Sequence, residues 1–83
     1  MLKIWFFASL REDVGVGVLE LSSEKAKTIP DLFVALESEF GVDGISALRA
    51  DNVRIAVNQE FITGNCSLHG GDEVAFLPPV TGG

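Results

Sequence analysis

Hydrophobic and polar positions near the start of the chain follow the pattern of two β-strands. Residues 2–8 are mostly aliphatic or aromatic and too few for a stable helix, so they predict a first strand. Because side chains alternate along a strand, its predicted core face comprises Leu2, Ile4 and Phe6. Residues 18–21 alternate in the same way and predict a second strand. A polar connection over residues 9–17 would join the two strands into a hairpin.

Apolar residues recur at helical spacing in the middle of the chain and predict the main helix over residues 29–40. The residues on its apolar face are Ile29, Leu32, Phe33, Leu36 and Phe40. Thr28 is the predicted N-cap, and Asp31, three residues later, completes a variant of the capping box. Gly41 is expected to end the helix, because glycine readily adopts the left-handed conformation found at helix ends.

Three more strands are predicted in the second half of the chain, over residues 53–57, 61–63 and 73–77. The element order is therefore strand, strand, helix and three strands, without repeats, low-complexity segments or an internal linker. This order favours one helix packed on one mixed sheet. We therefore predict an α+β fold of the β-grasp, ubiquitin-like type over residues 1–77, followed by an extended tail over residues 78–83.

Length and composition indicate one domain in a reducing compartment. The chain of 83 residues suffices for a single core, and its hydrophobic content of 47% can fill that core. Cys66 is the only cysteine, which excludes an internal disulfide framework, a usual zinc finger and a cysteine-ligated iron–sulfur cluster. No signal peptide or apolar segment of membrane-spanning length is recognisable. We therefore predict a cytoplasmic protein that does not bind membranes.

The acidic charge of the chain disfavours nucleic acid as a partner. Twelve acidic and six basic residues give a net charge of -6, and the basic residues are scattered along the sequence. Such a surface repels phosphate backbones. The acidic balance suits docking on a basic partner, although it equally suits keeping a small protein in solution.

Side chains that could carry catalysis are scarce. His69 is the only histidine, and its position beside two glycines favours an exposed turn. A Cys66–His69 nucleophile pair would lack an orienting group and an oxyanion site, which disfavours it. The carboxylates are dispersed over predicted loops and the outer helix face, so no metal site is predicted. The sequence assigns no role to Cys66 or His69.

The end of the chain is the best candidate for chemistry. Pro78 and Pro79 cannot continue a β-ladder and favour an extended conformation, so the last residues should project from the sheet. At about 3.3 Å per residue, residues 79–83 would reach roughly 16 Å. Gly82 and Gly83 lack side chains and can pass through a narrow channel of another protein. A frayed end without function is the alternative.

The reactive group of such a tail would be the Gly83 carboxylate. A carboxylate is a poor acyl donor, but its attack on the α-phosphate of ATP makes an acyl-adenylate. A sulfur nucleophile can then convert that acyl-adenylate to a thiocarboxylate. The chain would therefore supply and deliver the reacting group, and partner proteins would supply the catalysis.

Strand alternation also predicts a docking surface beside this tail. If Ile4 and Phe6 face the core, Phe7 points away from it, and Leu77 does the same on the last strand. Phe61, next to a predicted turn, can join them. Apolar residues grouped beside a reactive tail favour a partner interface over coverage by loops.

Three segments carry a family resemblance. The most specific is residues 71–83, in which a strand runs into the ending Pro-Pro-Val-Thr-Gly-Gly. The others are Phe-Phe-Ala at residues 6–8 with Leu-Arg-Glu at residues 10–12, and Ala-Val-Asn-Gln at residues 56–59. Over its whole length the chain resembles the small subunits of molybdopterin synthase, a family of ubiquitin-like sulfur carriers.

The resemblance implies a cycle of sulfur transfer in molybdenum cofactor biosynthesis. A ubiquitin-activating-like adenylyltransferase would adenylate Gly83 with ATP, and a sulfur donor system would form the thiocarboxylate. The sulfur would pass to cyclic pyranopterin monophosphate in the large subunit of a heterotetramer, molybdopterin synthase, which would hold the catalytic residues. The carrier itself would bind no cofactor. The part entering the large subunit would be Pro78, Pro79, Val80, Thr81, Gly82 and Gly83.

The family also implies hydrophobic contacts with partners through Phe7, Phe61 and Leu77. These are the positions that strand alternation predicts on the docking surface. Leu77 departs from the aromatic residue that the family pattern has there, although the substitution keeps an apolar contact.

Three other functions remain open at this point. A sulfur carrier for thiazole or cysteine synthesis would use the same Gly83 chemistry with another delivery partner, although the Pro-Pro-Val-Thr tail argues against it. A ubiquitin-like modifier would join Gly83 to protein lysines, and isopeptide-linked adducts would reveal it. An independent hydrolase would require Cys66 and not the tail.

Overall fold

A mixed sheet of five strands forms one layer of the fold in the computed structural model, in which residues 1–79 are described. The strands are β1 Leu2–Phe6, β2 Val18–Leu21, β3 Arg54–Val57, β4 Glu60–Ile62 and β5 Glu73–Leu77. The helices are α1 Ser9–Val14 and α2 Ile29–Ser46, and a short 3₁₀ turn follows at Ala47–Arg49.

The strands are ordered β2-β1-β5-β3-β4 across the sheet. The central pair, β1 and β5, is parallel, and the pairs β1/β2, β3/β5 and β3/β4 are antiparallel. With α2 packed on one face, this is the β-grasp arrangement that the element order predicts. Because β1 and β5 are adjacent and run in the same direction, the C-terminal end of β1 lies beside the C-terminal end of β5, where the tail begins.

The hydrophobic core lies between α2 and one face of the sheet. Leu2, Ile4 and Phe6 are at most 2% exposed, which confirms the predicted inward face of β1. The Phe76 ring stacks on Phe6 at 5.7 Å and meets Phe33 of α2 edge-on at 5.7 Å. Such aromatic pairs add to the area that the rings bury. The inward direction of Phe76 means that its neighbours along β5 face the other way.

The structure confirms the local start of the main helix. Thr28 is extended, with φ −142° and ψ 170°, and its Oγ1 accepts a hydrogen bond of 3.3 Å from the backbone N–H of Asp31. The Asp31 carboxylate accepts from the backbone N–H of Lys27 at 3.3 Å. These bonds satisfy N–H groups that a helix start would otherwise leave unpaired.

The predicted end of the first helical segment at Gly41 is confirmed, but the structure adds a second helical segment that was not predicted. Gly41 does leave helical geometry, with φ 80° and ψ 172°, but the chain then resumes a helical course to Ser46. The continuation brings Ile45 into the core at 1% exposure, and Leu48 of the 3₁₀ turn follows at 2%. Burial of these apolar side chains favours the extra turns, which the local glycine signal could not reveal.

The predicted polar connection over residues 9–17 was wrong in part, because it contains α1. Leu10 is 3% exposed, and Val14, four residues later, packs against the core. This i, i+4 pair forms the apolar stripe of a short helix, although the segment is otherwise polar. Gly15, with φ 92°, ends the helix, and its N–H donates to the Arg11 carbonyl.

Among residues 1–79, no helix is both long and apolar enough to cross a lipid bilayer.

Candidate functional site

The face of the sheet turned away from α2 carries an apolar surface, here called the open-face patch. It consists of Trp5, Phe7, Ala56, Phe61, Ala75 and Leu77. Phe7 is 44% exposed and Phe61 60% exposed, whereas their neighbours Phe6 and Phe76 are buried. The structure therefore places Phe7 and Leu77 on the face that strand alternation predicts, and Phe61 joins them. The register also places Ala56 on this face, although Ala56 is only 7% exposed.

The strand register gathers these residues around β5. Trp5 pairs with Ala75, and Phe7 extends the same ladder because its N–H donates to the Phe76 carbonyl at 3.2 Å. On the other side of β5, Ala75 pairs with Ala56, which in turn pairs with Phe61 of β4. Four strands thus contribute to one surface, and the last of them in sequence leads directly into the tail.

A tight hairpin presents Phe61. Asn58 and Gln59 connect β3 to β4 with φ values of 50° and 69°, the conformation that a two-residue hairpin turn requires. The Asn58 N–H donates to the Glu73 carbonyl at 2.8 Å, and its side-chain oxygen accepts from the Glu73 N–H at 3.0 Å. Asn58 therefore ties this hairpin to the start of β5, which accounts structurally for the Ala-Val-Asn-Gln motif.

Asp72 reinforces the same junction. Its carboxylate accepts hydrogen bonds from the Asn58 side-chain amide at 3.0 Å and from the His69 backbone N–H at 2.8 Å. The Asn58 bond chiefly, and then the His69 bond, hold the pKa of Asp72 below its ordinary value, because both stabilise the ionised form. The junction is thus held by a charged carboxylate at neutral pH.

A sharp bend directly after Phe7 ends the course of β1. Ala8, the next residue, has φ 52° and ψ −128°, a conformation that is uncommon for a residue other than glycine. The bend leads into α1, and the Leu10 N–H donates back to the Phe7 carbonyl at 3.1 Å. The Phe7 ring stacks on Trp5 with centroids 6.4 Å apart. One side of the Phe7 ring therefore packs against Trp5, and the remainder of the ring is exposed to solvent.

The polar group of Trp5, its indole N–H, has a hydrogen-bond partner within the chain. Its indole N–H donates to the Glu73 carboxylate at 2.8 Å, and the Lys3 ammonium lies 5.6 Å from its ring centroid. Along β1 the patch is consequently polar near Lys3 and apolar near Phe7. The apolar end is the one that adjoins the tail.

The tail leaves the sheet beside this apolar end. Leu77 and Pro78 are half-buried and Pro79 is exposed. A shallow groove beside them is lined by Asp51, Asn52, Arg54, Phe61, Leu77, Pro78 and Pro79. Val80, Thr81, Gly82 and Gly83, which the sequence predicts to carry and deliver the reactive carboxylate, lie outside the described residues.

The side chains of Cys66 and His69 occupy unlike environments. Cys66 is half-buried and packs against the core, whereas the His69 side chain is 77% exposed and its Nδ1 lies 3.9 Å from Asp72. No hydrogen bond joins Cys66 to His69 in the described part of the chain, so these two residues do not form a nucleophile–base pair there. Across residues 1–79, no three histidine, cysteine or acidic residues are grouped as a metal site would require.

Comparison with known proteins identifies the family. The model of the ThiS family matches residues 4–83, nearly the whole chain. The chain belongs to the ThiS family. It is 35% identical to the molybdopterin synthase sulfur carrier subunit of Escherichia coli, over an alignment of 85 residues that covers all of both chains.

Solved structures similar to this ThiS-family chain share its fold. The small archaeal modifier protein 1 of Methanosarcina acetivorans is 25% identical, with a TM-score of 0.78, and the match covers 99% of this chain and 95% of that one. One chain of the Helicobacter pylori complex between subunits 1 and 2 of molybdopterin-converting factor is 25% identical, with a TM-score of 0.68. The match covers 99% of this chain and 97% of that one. These matches agree with the β-grasp assignment.

Proposed function

We propose that this ThiS-family chain is the sulfur carrier subunit of a molybdopterin synthase and that its reactive group is the Gly83 carboxylate. The observation that supports this most directly is the position of the open-face patch. Its apolar end lies where β5 passes into Pro78 and Pro79, so a partner that covers Phe7 and Leu77 also receives the tail. The full-length similarity to the Escherichia coli sulfur carrier subunit supports the choice of pathway.

The proposed chemistry has three steps. The Gly83 carboxylate attacks the α-phosphate of ATP in an adenylyltransferase, and pyrophosphate leaves. Sulfur delivered as hydrosulfide by a donor system attacks the acyl carbon, and AMP leaves, so that a thiocarboxylate forms. In the large synthase subunit the thiocarboxylate donates its sulfur to cyclic pyranopterin monophosphate, and hydrolysis returns Gly83 to a carboxylate.

The body of the chain would contribute docking and delivery. Phe7, Phe61 and Leu77 are the proposed contacts with the large subunit and with the adenylyltransferase. Exposed aromatic side chains of this kind commonly supply most of the binding free energy at the centre of an interface. The tail, Pro78 to Gly83, would then enter the partner's active site, with the two prolines limiting the conformational freedom that binding removes. The assembly with the large subunit would be a heterotetramer in the cytoplasm.

The experiment that tests this proposal is intact-mass analysis of the carrier. The chain is incubated with the adenylyltransferase, ATP and a sulfur source, and we expect a mass increase that equals replacement of one oxygen by sulfur. Adding the large subunit and the pterin precursor should reverse the increase. The matched control is the chain lacking Gly83, which should not change in mass.

Each outcome assigns a function. An increase that the large subunit does not reverse would keep the carrier chemistry but indicate another delivery pathway, such as thiazole or cysteine synthesis. An unchanged mass would contradict the carrier proposal altogether.

A ubiquitin-like modifier is the second candidate, because a small archaeal modifier protein shares the fold at a TM-score of 0.78. Such a modifier would use the same adenylated Gly83 but transfer the acyl group to a lysine amine. Isopeptide-linked adducts of the chain that disappear when Gly83 is deleted would favour this function over sulfur transfer.

A further inference from the structure

One cation within the proposed docking surface has no counter-ion among the described residues. Arg54 pairs with Leu77 across the β3/β5 ladder, and its guanidinium carbon lies 4.9 Å from the centroid of the Phe61 ring. No ion pair joins Arg54 to a carboxylate within residues 1–79. Arg54 therefore lies between two of the proposed contact residues as an exposed positive charge that forms no ion pair in the described part of the chain.

Arg11 borders the open-face patch in a groove that Trp5 and Phe7 also line. Lys3 lies on the open face itself, in a different environment. The register places it between Glu20 of β2 and Glu73 of β5, so acidic residues flank it on both sides. It also lies at the start of β1, away from the edge where the tail begins. The charge of Lys3 is thus offset within the chain. Arg54 forms no ion pair within residues 1–79, since Asp51, which lines the same groove, lies beyond ion-pair distance.

Docking on Phe61 and Leu77 would remove water from Arg54. A charged group that loses water without gaining a partner costs several kcal/mol, so an interface over this site has to supply an acceptor. A guanidinium can keep one face on an aromatic ring while its planar edge donates two parallel hydrogen bonds to a carboxylate. The contact with Phe61 holds the Arg54 guanidinium next to the ring, where a partner carboxylate could reach its N–H groups.

We propose that the partner surface covering Phe61 and Leu77 presents an aspartate or glutamate carboxylate to Arg54, so that Arg54 selects among partners; this inference rests on the proposed function. The net charge of -6 favours basic partner surfaces in general. A carboxylate within such a surface is a specific requirement, since a partner with a lysine or an apolar group there would leave Arg54 repelled or unpaired.

The test measures the affinity of the large synthase subunit from the same organism for the wild-type chain and three variants, by isothermal titration calorimetry at two salt concentrations. Arg54→Met keeps an apolar stem but removes the charge, and we expect affinity to fall about 30-fold, with a weaker dependence on salt. Arg54→Glu should weaken binding further. Arg54→Lys keeps the charge but lacks the planar guanidinium that can donate two parallel hydrogen bonds. Its affinity should therefore lie between those of the wild type and Arg54→Met.

Arg49→Met is the matched control. The Arg49 guanidinium also lies 4.9 Å from a phenyl ring, that of Phe33, but on the helix side of the fold. Losing this guanidinium should leave the affinity for the large subunit unchanged. Thermal unfolding of each variant checks that the chain stays folded, which the exposure of both arginines leads us to expect.

The outcomes separate this inference from the function on which it rests. Wild-type affinity and wild-type salt dependence in Arg54→Met would overturn the role of Arg54 and leave the carrier function intact. Failure of the wild-type chain itself to bind would overturn both. If replacing the partner's carboxylate residue by lysine restores the affinity that Arg54→Glu loses, the result would support the proposed ion pair directly.

Discussion

Replacing Phe61 by alanine should separate binding from folding, because Phe61 lies outside the core. Its side chain is 60% exposed in the isolated chain. Fully burying a phenylalanine side chain is worth about 1.5–3 kcal/mol, so covering the exposed part corresponds to about 1–2 kcal/mol. We therefore expect Phe61→Ala to weaken binding of the large subunit by roughly 5- to 30-fold.

The same substitution should leave the free energy of unfolding nearly unchanged, within about 0.5 kcal/mol. Phe61 pairs with Ala56 in the β3/β4 ladder, and alanine keeps every backbone hydrogen bond of that ladder. The main loss within the chain is the contact with the Arg54 guanidinium. Because this contact is exposed, its removal should cost about 0.5 kcal/mol, the lower end of the range for cation–π contacts.

The assay is a pair of titrations, one with the large subunit by calorimetry and one with chemical denaturant followed by circular dichroism. Val34→Ala is the control, since Val34 is 68% exposed but lies on α2, away from the open-face patch. It should change neither quantity appreciably. An unchanged affinity in Phe61→Ala, or a loss of stability as large as the loss of binding, would refute the placement of Phe61 at the interface.

Four further predictions address the tail, the patch, the β3–β5 junction and the helix cap. Deleting Gly83 should abolish thiocarboxylate formation, seen by intact mass, while leaving the melting temperature unchanged, because every core residue precedes it; marked unfolding would contradict the carrier-tail proposal. Phe7→Arg should weaken binding of the large subunit or the adenylyltransferase, since a charge replaces an apolar contact, and unchanged calorimetric affinity for both would remove Phe7 from the surface. The pKa of Asp72 is lowered from 3.8 in the folded chain, so its contribution to stability is present above that value and is lost as the pH falls through the folded-state pKa. The difference in unfolding free energy between wild type and Asp72→Asn should therefore shrink in acid, and a difference independent of pH would argue against this linkage. Thr28→Ala should lower the unfolding free energy by about 1 kcal/mol through loss of the bond from the Asp31 N–H, measured by denaturant titration; no change would mean that the cap contributes nothing.

Much of the fold could be predicted because its signals are local. The inward face of β1 follows from strict alternation, and the start of α2 follows from a threonine and an aspartate three residues apart. The position of Phe7 and Leu77 on the open face needs only the period of a strand. The family resemblance of the last thirteen residues likewise requires no tertiary contact.

The errors occurred where burial outweighed local sequence preference. The polar segment 9–17 looked like a loop, yet Leu10 and Val14 reach the core and form α1. Gly41 does end the first helical segment, as predicted, but the segment after it, which buries Ile45, was not predicted. In both cases one or two apolar side chains found a place in the core that only the packed molecule provides.

The sequence by itself determined the order of the five strands and the main helix, the alternating faces of the strands and the Gly82-Gly83 pair, because each depends on residue type and spacing along the chain. The tertiary structure decided which residues share a surface, since strand order and register are long-range properties. The β5/β3 register sets Arg54 beside Leu77, and the β3/β4 hairpin brings Phe61 under its guanidinium. Residue 77 is far in sequence from residues 54 and 61, which share one hairpin, so only pairing of β5 with that hairpin could make the three residues one site.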